Sequence, residues 1–131
     1  MITEDYVSFE VAKLLKEKGF DENVNSSYSD NAQVFYHNGG NNSYFDSINS
    51  VLYHYARPTS QMAMKWLKNK HNIFIEISVG YVGTDESIVY FWIPCVLKEN
   101  HIEYPTMEEI IANSYEEAVK AALKYCLKNL V

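Results

Sequence analysis

The change of hydrophobic period between Pro58 and Val79 constrains the fold more than any other feature of the sequence. This segment reads PTSQMAMKWLKNKHNIFIEISV. In its first half, apolar residues recur four positions apart, as on one face of a helix: Met62 with Trp66, and Ala63 with Leu67. From Ile73 onward the period becomes two, with Ile73, Ile75, Ile77 and Val79 on one face of a strand. The segment therefore predicts an amphipathic helix followed directly by a half-buried strand.

The start of this helix is marked by two residues. Pro58 pushes Arg57 towards extended geometry, so a helix cannot run in from upstream. The hydroxyl of Thr59 can then accept from the backbone N–H of Gln61 or Met62 as an N-cap. We predict that the helix begins directly after Thr59.

Two further helices carry marks at their ends. The first runs from about Tyr6 to Lys18, with Ser8 as its N-cap and Gly19 where a left-handed C-cap is wanted. Near the end of the chain, Ser114 and Glu117 have the spacing of a capping box. A wide apolar stripe follows this box and predicts a helix packed across a sheet: Ala118, Val119, Ala122, Leu123, Cys126, Leu127 and Leu130.

A second strand is predicted from Ser87 to Leu97, pairing with the first as an antiparallel hairpin. Its two faces are both apolar or aromatic, with Val89, Phe91, Ile93 and Cys95 on one and Tyr90 and Trp92 on the other. Pro94 cannot donate to a ladder, which favours an edge position or a bulge.

Residues 21–50 have the composition of turns, with seven asparagines and six serines. Two aromatic runs, 33–37 and 43–46, predict a hairpin there, and a short strand is predicted at 51–55. Residues 98–113 are a connection with room for one short helix. We therefore predict a single α+β domain over 1–131, with about four strands in an antiparallel or mixed sheet, three main helices and the order α-β(β)-α-β-β-α.

Charge and composition limit the environment and the partners. The net charge of −6 and the pI near 5.1 argue against generic duplex-DNA binding. The N-terminus is acidic where a signal peptide would be basic, and no apolar run reaches the length of a membrane span. We expect a cytoplasmic protein without membrane contact, in which Cys95 and Cys126 are buried free thiols.

Sites for catalysis, metals or cofactors are not indicated. The four histidines fall in four separate segments, and the metal-binding patterns HExxH and CxxC do not occur. The acidic pairs Glu108-Glu109 and Glu116-Glu117 fit the first turns of helices, where negative charge is favoured. We predict no enzyme activity, no catalytic residue, no cofactor and no metal.

The aromatic content points instead to recognition of another protein or to self-association. Tyrosine, of which the chain has eleven, offers large contact area with a polar end and suits an interaction surface. The candidate interaction surface comprises Tyr36, Tyr44, Phe45, Tyr53, Tyr55, Arg57 and Lys65. One alternative is a nucleic-acid-associated protein that uses the basic and aromatic residues 57–70, or a face bearing Phe74, Tyr90 and Trp92 on which bases could stack. A third possibility is a small enzyme of unrecognised type.

Three segments of the chain together resemble a group of short proteins of uncharacterised function from gut Bacteroidales and their phages and mobile elements. These segments are PTSQMAMKWLKNKHNIFIEI, LLKEKGFDE and SYEEAVKAALKYCL. The resemblance rests on the positions Pro58, Thr59, Met62, Ala63, Trp66, Leu67, His71, Asn72 and Ile73. It implies a bacterial or phage accessory protein and brings no activity with it.

Overall fold

The computed structural model describes residues 5–36, 54–83, 87–105 and 110–131. The α+β class is confirmed, with three helices in the described residues: α1 (Phe9–Glu17), α2 (Ser60–His71) and α3 (Tyr115–Asn129). The strands are β1 (Ser26–Ser29), β2 (Val34–Tyr36), β3 (His54–Ala56), β4 (Ile73–Val82), β5 (Ser87–Leu97), β6 (Ile102–Glu103) and β7 (Ile111–Ala112). They form two antiparallel sheets, one of four strands and one of three.

The chain divides into two compact units, residues 1–63 and 64–131, with the boundary inside α2. Unit 1 contains α1 and the three-stranded sheet. Unit 2 contains the four-stranded sheet and α3. The prediction of one domain over 1–131 stays a prediction.

The residues that cap helix α1 at both ends are those that the sequence predicts. The Ser8 hydroxyl accepts from the Val11 N–H at 3.3 Å, which confirms the N-cap. Gly19 has φ +88°, and the amide of Phe20 donates to the Leu15 carbonyl at 2.9 Å. These are the features of a Schellman C-cap.

The predicted start of α1 at Tyr6 is too early, because the preceding segment is extended and pairs with another part of unit 1. Tyr6 forms an antiparallel bridge with Thr59. The Val7 N–H donates to the Pro58 carbonyl at 3.0 Å, and the Ser60 N–H donates to the Asp5 carbonyl at 2.8 Å. These bonds hold the residues before Ser8 out of the helix.

Strand β1 lies at the centre of the three-stranded sheet, in the order β2-β1-β3, and the sequence did not predict it. Its sequence SSYS has no apolar alternation, yet Ser26 and Ser27 are fully buried. The Ser26 hydroxyl donates to the Arg57 carbonyl at 3.0 Å, which offsets the cost of its burial. The predicted strand partner at 43–46 lies outside the described residues, as do residues 51–53 of the strand predicted at 51–55.

Helix α2 has the predicted N-cap, with the Thr59 hydroxyl accepting from the Met62 N–H at 3.1 Å. Ala63, Trp66 and Leu67 are buried as predicted. The placement of Met62 on the buried face is wrong, since its side chain is exposed. The helix ends at His71 because Asn72 adopts a left-handed conformation, with φ 55°.

The predicted hairpin is confirmed by the pairing of β4 with β5, which runs from Ile73 opposite Val96 to Val82 opposite Ser87. Strand β4 continues past the predicted end at Val79 into Gly80–Val82. The core that α3 forms on this sheet includes Ile75 and Ile77. Val79 belongs to the same face but is 62% exposed, so its predicted burial is wrong.

Pro94 lies in a strand that is paired on both sides, so the predicted edge position is wrong. Strand β7 pairs with β5 at Tyr90 and Phe91, and β6 pairs with it at Val96 and Leu97. The Trp92 N–H donates to the Ile110 carbonyl on the β7 side. The nitrogen of Pro94, two residues after Trp92, faces this same side of β5, in the gap between β7 and β6. Because no described strand is paired with Pro94 there, its missing N–H costs no described hydrogen bond.

Helix α3 packs across the four-stranded sheet, as predicted. Its N-cap Ser114 accepts from the Glu117 N–H at 3.1 Å, and the Glu117 carboxylate accepts from the Asn113 N–H at 3.2 Å. Ala118 and Ala122 pack against the buried Trp92 of β5. Because both alanines are small, the helix can lie close to the indole ring.

Candidate interaction surface

Arg57 lies next to the end of β3, in line with the last pair of the β1–β2 hairpin. Its N–H donates to the Ser26 carbonyl at 3.0 Å, and Ser26 is paired with Tyr36 on the far side. The guanidinium carbon is 4.0 Å from the ring centroid of Tyr6, 5.5 Å from that of Tyr28 and 5.7 Å from that of Tyr36. Three tyrosine rings therefore surround one cation, each within cation–π distance.

Hydrogen bonds fix the orientation of this guanidinium. Nη1 of Arg57 donates to the Tyr36 hydroxyl at 3.3 Å and to the Ser26 hydroxyl at 3.4 Å. Nε is buried and has no hydrogen-bond partner among the described residues. Burial alone would lower the pKa of Arg57, but interactions with the hydroxyls of Tyr28 and Tyr36 outweigh it and raise the pKa. The group stays charged and is held in one plane.

Tyr28 also belongs to a second group of aromatic residues. It is paired with Tyr55 of β3, so the two side chains lie on one face of the sheet, the face that also carries Tyr36. The ring of Phe9 on α1 contacts both of these rings edge-on, at 5.5 Å between centroids. The Tyr28 hydroxyl donates to the Val7 carbonyl at 2.6 Å, and the Tyr55 hydroxyl donates to the Asp30 carboxylate at 3.3 Å. The rings of Tyr28 and Tyr55 are therefore held both by Phe9 and by the hydrogen bonds of their hydroxyls.

Two lysines of α1 extend the positive charge along this group of rings. Lys13 Nζ lies over the Phe9 ring and Lys16 Nζ over the Tyr55 ring, each 4.9 Å from the centroid. Lys16 Nζ also donates to the His54 carbonyl at 2.8 Å. Burial lowers the pKa of Lys16. Desolvation and the neighbouring Asp30 carboxylate raise the pKa of the Tyr55 hydroxyl.

We call this set of residues the cation–aromatic surface. Each of its rings has one of the chain's own cations over a face. Tyr36 is its most exposed aromatic residue, at 62%, and the exposed Val34 lies two positions away on the same face of β2. The surface comprises Tyr6, Phe9, Lys13, Lys16, Tyr28, Tyr36, Tyr55 and Arg57.

The structure brings together three of the seven residues predicted for an interaction surface: Tyr36, Tyr55 and Arg57. Lys65 is exposed on α2 but belongs to the other unit. Tyr44, Phe45 and Tyr53 lie outside the described residues.

Sequence reasoning missed the five members of the surface that come from α1, its preceding segment and β1. Only the spacing of Phe9 and Lys13, one helical turn apart, could have indicated one of these contacts. The others depend on the pairing of β1, which the sequence does not indicate.

The aromatic face suggested for base stacking is not formed. In the register of β4 with β5, Phe74 is paired with Cys95 and Trp92 with Ile77, so Phe74 and Trp92 lie on opposite faces of the sheet. Trp92 is also buried against α3. Bases therefore cannot reach these rings together.

The two cysteines of unit 2 are free thiols. Burial, with a smaller effect of the Cys95 thiol, raises the pKa of Cys126 to about 12. Burial and the charge of Glu76 also raise the pKa of Cys95. Because the thiolate is the reactive form, neither cysteine is activated as a nucleophile at neutral pH.

In the part of the chain that the structure describes, no group of three histidine, cysteine or acidic side chains could hold a metal ion. Nor does any helix of the described ranges have the length and apolarity needed to cross a membrane. A comparison of the sequence and structure with known protein families, curated proteins and solved structures finds no significant match.

Proposed function

We propose that this chain is a non-catalytic protein-interaction module that binds a partner protein through the cation–aromatic surface of unit 1. The partner presents acidic and apolar side chains there. In line with the resemblance of the central segment, we also propose that it acts as an accessory protein in bacterial or phage cytosol.

The position of Tyr36 is the observation that carries this proposal. Tyr36 is 62% exposed, while its hydroxyl accepts a hydrogen bond from the guanidinium of Arg57. Tyrosine and arginine are, with tryptophan, the residue types enriched among those that dominate binding energy. A ring that is exposed but already held in place loses little conformational entropy when a partner covers it.

The charge distribution supports an acidic partner. Lys13, Lys16 and Arg57 lie together on the cation–aromatic surface, although the chain as a whole carries a net charge of −6. A positive surface on an otherwise acidic protein attracts an acidic patch of a partner protein and orients the partner towards it.

Two observations favour a protein partner over a nucleic acid. Each ring in this surface has a cation of the chain itself near one face, which leaves at most one face for a stacked base. The overall negative charge also opposes a phosphate backbone. In the alternative that uses residues 57–70, Arg57 belongs to unit 1, whereas the exposed Lys65, Lys68 and Lys70 belong to unit 2.

The experiment is a tagged capture from bacterial lysate, with one half treated with nuclease, using the wild-type chain and the Tyr36→Ala variant. Tyr104→Ala is the matched control, because Tyr104 of unit 2 is 61% exposed, nearly the same as Tyr36. Retained proteins are identified and quantified by mass spectrometry.

The proposal expects a protein retained in stoichiometric amount after nuclease treatment, lost with Tyr36→Ala and kept with Tyr104→Ala. Retention that disappears with nuclease would instead favour the nucleic-acid alternative. Retention that is equal for both variants would exclude the cation–aromatic surface as the binding site.

A further inference from the structure

Strand β4 is a long outer strand with little protection of its edge. It has ten residues, and among the described residues of unit 2 β5 is the only strand paired with it. Natural edge strands are usually short or carry lysine, proline or a bulge that prevents pairing with another chain. The sequence IFIEISVGYV contains none of these residues and has Glu76 as its only charge.

The direction of the free backbone groups follows from the register. The Trp92 N–H donates to Ile110, on the side of β5 away from β4, so the pair Ile77–Trp92 shares no ladder bond. The N–H and C=O groups of Ile77 therefore point to the outer edge. The same holds for Ile75 and Val79, two residues away on either side.

We propose that β4 pairs antiparallel with β4 of a second copy of this chain, around a two-fold axis at Ile77. The two four-stranded sheets would then form one continuous sheet. In this register Ile77 is opposite itself and Ile75 is opposite Val79, and these outward-pointing groups exchange hydrogen bonds. Glu76 is opposite Ser78, so no like charges meet across the axis.

The same register also matches the side chains at the ends of the strand. Phe74 of one copy is opposite Gly80 of the other. A Cβ at Gly80 would be 2.7 Å from the ring of Phe91, so this ring already lies beside the glycine. Phe74, which is 38% exposed, gains an aromatic neighbour there.

Neighbouring registers fit less well. An axis at Glu76 places two carboxylates directly opposite each other, which destabilises a strand pair. If the axis passes between two residues, each residue whose N–H and C=O point to the free edge is opposite one whose groups point towards β5. The hydrogen bonds of the ladder then cannot form. The two-fold axis at Ile77 avoids both problems. An axis at Ser78 avoids them too, but only the axis at Ile77 places Phe74 opposite Gly80 and its neighbour Phe91.

The exposure of β4 is consistent with a docking edge. Val79 and Tyr81 are 62% and 70% exposed, respectively, on the face of the sheet that α3 covers farther along. Pairing of two strands would bury part of both side chains. Because one strand pair is a small interface, we expect a dimer that dissociates on dilution.

This inference concerns unit 2 and does not depend on the function proposed for unit 1. Sedimentation velocity over a dilution series tests it with Ser78→Glu and Ser78→Lys, which differ only in the sign of the charge. Ser78 is exposed, so neither change alters the core. In the proposed dimer each new side chain is opposite Glu76 of the other copy, twice per dimer.

We expect Ser78→Glu to raise the dissociation constant of the dimer about tenfold and Ser78→Lys to lower it about tenfold. The double variant Glu76→Lys with Ser78→Glu restores opposite charges and should return the dissociation constant to the wild-type value or below. Salt should reduce all three differences.

Two results would overturn the inference. One is a wild-type chain that sediments as a monomer at the highest concentration that stays in solution. The other is a dimer whose dissociation constant is the same in Ser78→Glu and Ser78→Lys.

Discussion

Arg57 connects the edge of one strand to three aromatic rings through a single planar group. Its Nη1 donates to two hydroxyls, and its guanidinium carbon lies 4.0 Å from the centroid of the Tyr6 ring. A lysine at this position keeps the charge but lacks the planar guanidinium with its several N–H donors, so it cannot reproduce this arrangement. The guanidinium therefore has a structural role besides the contact with a partner that we propose for it.

We expect Arg57→Lys to lower the free energy of unfolding by about 1–2 kcal/mol, through the loss of a hydrogen bond and of ring stacking. Urea unfolding followed by circular dichroism measures this. The control is Lys65→Ala, an exposed change for which the expected shift is within about 0.5 kcal/mol. Equal stability of the Arg57→Lys and wild-type proteins would show that the guanidinium group contributes nothing to stability beyond its charge.

Cys126 gives the chain a dependence of stability on alkaline pH. Its pKa in the folded protein is about 12, against an ordinary value of 9.0. Between these values the unfolded chain loses the thiol proton and the folded chain keeps it, so the free energy of unfolding falls as pH rises. Below the ordinary pKa both states are protonated, and the contribution of the thiol is fully present.

Unfolding of the wild-type protein and Cys126→Ala at a series of pH values above 9 checks this, because tyrosine ionisation is common to both proteins. We expect the slope of stability against pH to be steeper for the wild type. Parallel slopes would mean that the folded thiol titrates normally.

At the scale of elements, the helix ends were the most predictable parts of the fold. Ser8, Thr59 and Ser114 all act as N-caps in the structure, because a cap depends on residues within one turn of it. Strand β1 was missed because its burial is set by partners far away in sequence. Its serines are buried through pairing with β2 and β3, and no local pattern indicates that pairing.

The cap of α3 gives a matched pair of variants. We expect Ser114→Ala to lower the free energy of unfolding by about 1 kcal/mol, because the Glu117 N–H loses its acceptor. Ser114→Asp keeps an acceptor and adds negative charge at the helix N-terminus, so its stability should equal or exceed that of the wild type. If Ser114→Asp is as unstable as Ser114→Ala, the cap bond is not the cause.

Gly19 tests the other end of a helix. Its φ of +88° is unfavourable for a residue with a Cβ, although the space around it is open. We therefore expect Gly19→Ala to cost about 1 kcal/mol through backbone strain alone, and Gly19→Asn to cost less. Thermal unfolding of the two variants measures the difference, and identical melting temperatures would contradict this reason.

At the scale of the whole molecule, the sequence predicted the class of fold and named three residues that the structure places close together. Composition and periodicity were enough for three helices and the β4–β5 hairpin, because these elements depend on local pattern. The cation–aromatic surface draws on α1, β1, β2 and the residue after β3, which only tertiary pairing brings together. Three of its residues could be named in advance because tyrosine and arginine are common at interfaces.

The central claim is that Tyr36 and its neighbours bind a partner protein. The most direct measurement is a calorimetric titration of the captured partner into the wild-type chain, Tyr36→Ala and Tyr104→Ala. We predict that Tyr36→Ala raises Kd at least about tenfold while Tyr104→Ala leaves it unchanged. Equal Kd values for all three proteins would contradict the account, because two equally exposed tyrosines would then contribute alike.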